Sequence, residues 1–211
     1  MADIGHILDK PPSTGITYYD ETQEDVKVIM PDGNYKSNVI SVETVVRDVK
    51  GIHRALIYNV KIRIAKESED TVFDAVDMEG NVVKVNGGKF TGYELRSNGI
   101  FKFLHPDKED EFEANPGGNK AYANFCRVLG KEPKIVDVEF NGEKISMKEL
   151  PSLEESDILG KPVISVLGRG KPWVSNKDGK TRTPMAVKWF RTWVNGSTLS
   201  SSELEGDDLP F

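Results

Sequence analysis

Apolar and polar positions alternate along two long runs near the start of the chain. Over 35–49 the sequence is rich in Val, Ile and Thr, with Ile40, Val42, Thr44 and Val46 on one parity. Over 53–66 the alternation is cleaner, with Leu56, Tyr58, Val60, Ile62 and Ile64 on one side and His53, Asn59, Lys61 and Arg63 on the other. A period of two marks a strand with one buried face, and β-branched residues favour the same state. Turn chemistry at Pro31-Asp32-Gly33-Asn34 and Asp48-Val49-Lys50-Gly51 bounds the first run, so the pair predicts a hairpin with one apolar and one basic face. A third strand is predicted over 90–104, placing Tyr93, Leu95, Phe101 and Phe103 on one parity and Arg96 and Lys102 opposite.

The period then lengthens. Tyr122, Phe125, Cys126 and Leu129 share one helical face, with Asn119 as the expected cap and Gly130 as terminator. An apolar stripe of this kind packs on a core. Runs over 134–140 and 144–147 flank the turn pair Asn141-Gly142, and 151–159 reads as a short acidic helix. A strand is predicted over 162–167; Gly168-Arg169-Gly170-Lys171-Pro172-Trp173 leaves it and Asn176-Lys177-Asp178-Gly179 turns the chain into a last strand over 181–194. Met185, Val187, Trp189, Arg191 and Trp193 share one parity of that strand; Ala186, Lys188, Phe190 and Thr192 share the other. One of Trp189 and Phe190 must face the core, because a barrel strand buries one side.

These elements predict a mainly β fold, an OB-fold-like five-stranded barrel, partly open, with an inserted helix; a plain sandwich is the alternative. An N-terminal arm over 1–30, containing Pro11-Pro12-Ser13-Thr14-Gly15, precedes a body over 31–196, and a disordered acidic tail over 197–211 follows.

Composition narrows the function. With 211 residues, 37% hydrophobic and 29% charged, the chain can bury a real core. No apolar run reaches membrane-spanning length, and Met1-Ala2-Asp3-Ile4-Gly5-His6 lacks a secretory pattern, so no membrane partner and a cytoplasmic location are expected. The single Cys126 excludes an internal disulfide and a Cys-rich zinc site, and reads as a small buried hydrophobe. His6, His53 and His105 are scattered, and no P-loop, nucleophile elbow or His-Glu-x-x-His motif occurs, so neither catalytic residues, metal nor cofactor are expected. The acid run Asp107-Lys108-Glu109-Asp110-Glu111 offers oxygen ligands to a nuclease's Mg2+, but such runs are usually solvated loops.

A net charge of -6 opposes nucleic-acid binding until its distribution is considered. Four of the 34 acids (Glu203, Glu205, Asp207, Asp208) lie beyond residue 196, where there is no base. Two blocks are strongly basic: 47–66 carries six bases against Asp48, and 161–195 carries eight against Asp178. Trp173, Trp189 and Trp193 all fall in the second block. Aromatic rings beside bases suit single-stranded nucleic acid, because stacking is worth about 1 to 3 kcal/mol per base in any sequence while Lys and Arg follow the phosphates.

The chain ends Gly206-Asp207-Asp208-Leu209-Pro210-Phe211. An anionic segment closed by an aliphatic, a proline and an aromatic suits a partner pocket with an apolar slot ringed by Lys or Arg. This ending resembles the tips of bacterial single-stranded DNA-binding proteins. The strand order, the helix ending at Leu129-Gly130 and the hairpin from Gly160-Lys161-Pro162 to Trp193 are similar to phage-encoded members of that class. The resemblance implies an oligonucleotide-binding barrel that holds single-stranded DNA through Lys61, Arg63, Arg169, Lys171, Lys177, Arg182, Lys188 and Arg191, with Trp173 and one of Trp189 or Trp193 stacking on bases. It also implies that Asp207, Asp208, Leu209, Pro210 and Phe211 recruit replication or recombination proteins. Two departures matter: the long N-terminal arm leaves a homo-oligomer open, and a tip with two Asp residues where the bacterial form often has three weakens docking. The rival reading is a non-catalytic protein-interaction or virion structural module whose basic block contacts acidic subunits.

Overall fold

The computed structural model describes residues 28–49, 53–103, 119–140 and 142–204. The expected arm up to residue 27, the acid run at 107–111 and the docking tip Asp207 to Phe211 lie outside the described residues.

Strands β1 (Val28–Ile29), β2 (Gly33–Val49), β3 (His53–Ile64), β4 (Val72–Asp77), β5 (Val82–Asn86), β6 (Glu94–Arg96) and β7 (Ile100–Phe103) precede helix α1 (Lys120–Val128). The hairpin of β8 (Lys134–Phe140) and β9 (Glu143–Glu149) and the short α2 (Glu155–Ile158) lead to β10 (Pro162–Arg169). Then come β11 (Trp173–Val174), β12 (Thr181–Arg182), β13 (Met185–Thr192) and α3 (Ser201–Leu204). The fold is mainly β, with several antiparallel sheets and few, short helices. Its largest sheet runs β13-β10-β2-β3-β6, and β7 also pairs with β3. The two ends of that path meet at one parallel bridge, Ser97 to Val187, so no closed ladder forms. A second sheet, β1-β4-β5, was not anticipated from the sequence, and β8-β9 and β11-β12 form two separate ribbons.

The predicted strands exist, but their faces are not those that simple parity assigns, because single extra residues interrupt three of them. In β2 the register against β3 slips between Val39 and Ser41, so Tyr35, Ser37 and Val39 are buried before the slip while the inward set after it includes Val42. Between β6 and β7 the pairing with β3 also slips by one: Lys61 faces Arg96, whereas Tyr58 faces Ile100. In β13, Val166 of β10 pairs with Trp189 and Leu167 with Val187, leaving Lys188 as the bulged residue. Each extra residue rotates everything beyond it by one side-chain position and so exchanges the two faces.

Two corrections follow. In the third predicted strand Leu95 packs against the core as expected, but beyond the slip the inward residue is Ile100, only 7% exposed, and Phe101 and Phe103 turn to the outer side. The predicted last strand breaks at Thr183 and Pro184 into β12 and β13, and Val187 and Phe190, on opposite parities, both reach the core. Gly99, at φ 85, supplies the left-handed residue that the slip between β6 and β7 requires.

That slip is clamped by Ser97. Its hydroxyl accepts the backbone N–H of Val60 at 3.1 Å and that of Gly99 at 3.4 Å, replacing ladder partners that the extra residue displaces. Ser97→Ala leaves the N–H of Val60, a buried residue, without this acceptor. The expected cost is about 1 to 3 kcal/mol, read as a fall in thermal midpoint of about 2 to 4 °C per kcal/mol. An unchanged midpoint would show that the clamp contributes nothing.

The core lies between the large sheet, α1 and the inner face of β4 and β5. Tyr35 stacks on Phe73 with centroids 4.4 Å apart and donates its hydroxyl to the Pro31 carbonyl at 3.0 Å. The predicted helix face packs as expected: Tyr122, Phe125 and Cys126 are buried, and the Phe125 ring lies 5.1 Å from that of Phe190. Burial pushes the Cys126 thiol up, in keeping with an inert packing role. Asn119 does not cap α1 with its side chain; the amide instead accepts from the Phe103 N–H at 2.8 Å and donates to its carbonyl, tying the helix start to β7.

Candidate nucleic-acid interface

Between β10 and β13 the chain extends into the β11-β12 ribbon, where Trp173 sits directly across from Arg182. Trp173 is 49% exposed, as its place beside Pro172 predicts. The Arg182 guanidinium donates to Asp178 at 2.7 Å, and the Ser175 hydroxyl, followed by Arg182, holds the Asp178 carboxyl below the usual range. Lys171 and Lys177 are exposed in the same ribbon. At its root Arg169 is committed elsewhere: it donates to the Met30 carbonyl at 3.0 Å, and its Nε lies 3.7 Å from Asp32.

The bulge at Lys188 decides which aromatic of β13 faces out. Phe190 is 4% exposed and Trp189 is 39% exposed, so the core aromatic is Phe190. Trp189 pairs across β10 with Val166, which pairs in turn with Asn34 of β2. The next row is Arg191, Ile164 and Lys36. Outward-facing Lys188, Trp189 and Arg191 thus follow one another along β13. Lys36, which lies outside both basic blocks of the sequence, belongs to this face; its ammonium is paired with Asp70. The signal was its place opposite Tyr35 and Ser37 in the alternation of β2.

Trp193 is differently placed. It lies beyond the end of β13, half-buried, and a Cβ added at Gly196 would come within 2.6 Å of its ring, so the chain itself covers part of the indole. The Lys36 ammonium lies 5.8 Å from its centroid.

Lys61 and Arg63 share the outer face of β3, and both pair with Glu94 of β6. Lys61 first, and Arg63 after it, hold the Glu94 carboxyl below its usual range. Arg63 also donates to the Glu203 carbonyl at 3.3 Å. This contact belongs to a segment over 196–204 that crosses the sheet. The Ser197 carbonyl accepts from the Asn38 amide at 2.9 Å, the Leu199 N–H donates to Gly160 at 2.9 Å, and α3 follows. The first half of the predicted tail is therefore laid on the body.

The candidate residues form two exposed groups, Trp173 with Lys171, Lys177 and Arg182 on the ribbon, and Trp189 with Lys188 and Arg191 on β13. Lys61 and Arg63 lie across the sheet, balanced by Glu94, and Arg169 and Trp193 are occupied by contacts within the chain. Among the described residues, no cluster of His, Cys, Asp and Glu is arranged to hold a metal ion, and no helix is long and apolar enough to cross a membrane. No protein-family model matches the chain, and neither does any curated protein or any solved structure.

Proposed function

We propose that this protein binds single-stranded DNA without catalysis and, through the acidic tip ending in Leu209, Pro210 and Phe211, recruits the replication or recombination proteins that act on that DNA. The observation that carries the reading is the exposure of Trp173 and Trp189 among bases, on a ribbon and a strand edge where flat rings and cations lie side by side. Architecture supports it. Strands β2, β3, the bulged β6 and β7, β10 and β13, with α1 inserted before the fourth, have the order of a five-stranded oligonucleotide-binding barrel, and the Ser97 to Val187 bridge lies where such a barrel would close.

The test is titration with poly-dT while tryptophan emission is followed, in EDTA and at two salt concentrations. Quenching is expected, because a base stacked on indole alters its emission. Affinity should fall by roughly 50-fold between 50 and 200 mM salt if about four phosphates are contacted. Duplex DNA should compete poorly. Absence of binding, or binding indifferent to salt, would refute the proposal.

A protein-contact role has one observation of its own: Ile29, Val76 and Val82 form a row of exposed apolar side chains across β1, β4 and β5. Val76→Lys should leave poly-dT binding intact if that row serves protein contacts alone.

A further inference from the structure

We propose that Arg169 and Lys188 form a phosphate subsite of the single-strand interface, held shut in the free protein by the carboxylate of Asp32; this rests on the single-strand binding proposed above. The subsite lies where β10, β13 and the linker from β1 to β2 meet. Leu167 pairs with Gly33, so Asp32 falls beside Gly168, one outward position on from the row of Trp189, Val166 and Asn34. Its Oδ1 lies 3.7 Å from Arg169 Nε. Its Oδ2 faces Gly168, where a Cβ would come within 3.6 Å of it and within 3.3 to 3.4 Å of the Lys188 stem. The two carboxylate oxygens therefore stand between a guanidinium and a lysine side chain, the setting in which a pair of phosphate oxygens is held.

Local features of the sequence build it. Lys188 is the extra residue of the β13 bulge, with no opposite number on β10, so its side chain escapes the alternation and lies across the neighbouring strand. Gly168 leaves the room; any side chain there would crowd the lysine stem. Arg169 is aimed by its other bond, to the Met30 carbonyl at 3.0 Å, which does not involve Asp32. The contact between Asp32 and Arg169 contributes little to stability, because the two side chains are 58% and 43% exposed and the separation is long. Its consequence is electrostatic. Trp189 stands about two residues along the strands from this point, roughly 6.6 Å, so the phosphate of a base stacked on the indole comes within reach of Arg169 and Lys188 and meets the carboxylate there. Asp70 and Asp178, the acids beside the other bases of the interface, each pair with a single base, Lys36 and Arg182. Asp32 stands between two.

The test compares Asp32→Asn, which keeps the shape and removes the charge, with Glu143→Gln, which removes one charge from the separate β8-β9 ribbon, both in the full chain. Anisotropy of a labelled dT oligonucleotide at about 50 mM salt should show Asp32→Asn tightened about threefold to tenfold and Glu143→Gln changed less than about twofold. The slope of log affinity against log salt should steepen by about 0.7 for Asp32→Asn, the mark of one more phosphate contacted, and stay unchanged for Glu143→Gln. Arg169→Gln alone should weaken binding little, because Asp32 already holds that guanidinium, and should abolish the gain when combined with Asp32→Asn. Inorganic phosphate, compared with chloride at equal ionic strength, should displace the oligonucleotide from Asp32→Asn no better than from the unaltered protein; selective displacement would assign the site to free phosphate and overturn the proposal. Equal affinity and slope for Asp32→Asn and the unaltered protein, or an equal gain from Glu143→Gln, overturns the subsite while leaving single-strand binding standing. Failure of the unaltered protein to bind overturns both. If Arg169→Gln loses its cooperative melt, the salt slope of Asp32→Asn decides alone.

Discussion

Replacing Trp173 and Trp189 together by alanine should weaken binding of a labelled dT oligonucleotide by about thirtyfold or more, with little change in thermal midpoint. The size follows from two stacked bases at about 1 to 3 kcal/mol each. Near-additivity is expected because the two rings sit on different strands, Trp173 across from Arg182 and Trp189 across from Val166. Stability should hold because both side chains are exposed, and exposed substitutions usually change it by less than about 0.5 kcal/mol. Trp193→Ala is the informative control. Its ring packs against Gly196, so its loss should lower the thermal midpoint and affect DNA affinity less than Trp189→Ala does. The reverse pattern would move the stacking site to the end of β13. Fluorescence anisotropy suits the comparison, since the double substitution removes most of the intrinsic signal.

That contrast between neighbouring tryptophans shows what the sequence could and could not convey. Strand existence was legible, because β2, β3, β10 and β13 are long runs of β-branched and aromatic residues ended by recognisable turns. The helix was legible for the same kind of reason: Tyr122, Phe125 and Cys126 recur at helical spacing, and all three are buried. Facing was not legible past a bulge. Val187 and Phe190 look like residues of opposite faces, yet both are core because Lys188 is extra. Nothing about a lysine announces that it will be the unpaired residue. Ser97 and Gly99 carried a better signal, a hydroxyl able to accept a stray N–H and a glycine free to take positive φ, but locating the slip required the partner register of β3. The three-stranded β1-β4-β5 sheet escaped for a different reason. Its strands are two to six residues long, and Val72, Val76 and Val82 lie on the solvent side, so hydrophobicity there does not report burial.

Shortening the chain from its C-terminal end should separate two roles that its acidic character had merged. Ending it after residue 204 removes Glu205, Asp207 and Asp208 while leaving every described contact of 196–204 in place. The thermal midpoint should then be unchanged. Affinity for dT oligonucleotides at low salt should rise about threefold or more, because three anions that compete with phosphate for exposed bases have gone, each worth a few tenths of a kcal/mol or more. Ending the chain after residue 196 also strips the covering segment. Asn38, 5% exposed, loses the Ser197 carbonyl, and Arg63 loses the Glu203 carbonyl. A buried amide left short of an acceptor costs about 1 to 3 kcal/mol, so this shorter chain should melt earlier. It should also bind single strands at least as tightly as the 204-residue form at low salt, since it lacks Glu203 as well. Raising the salt should bring all three chains to a common affinity, because screening removes the competition but not the stacking. Equal low-salt affinities for the full chain and the 196-residue form would eliminate the competition, and a shared thermal midpoint would eliminate the structural role of the segment. The two outcomes are independent: one reads the charge of the tip, the other the hydrogen bonds that hold its approach to β2 and β3.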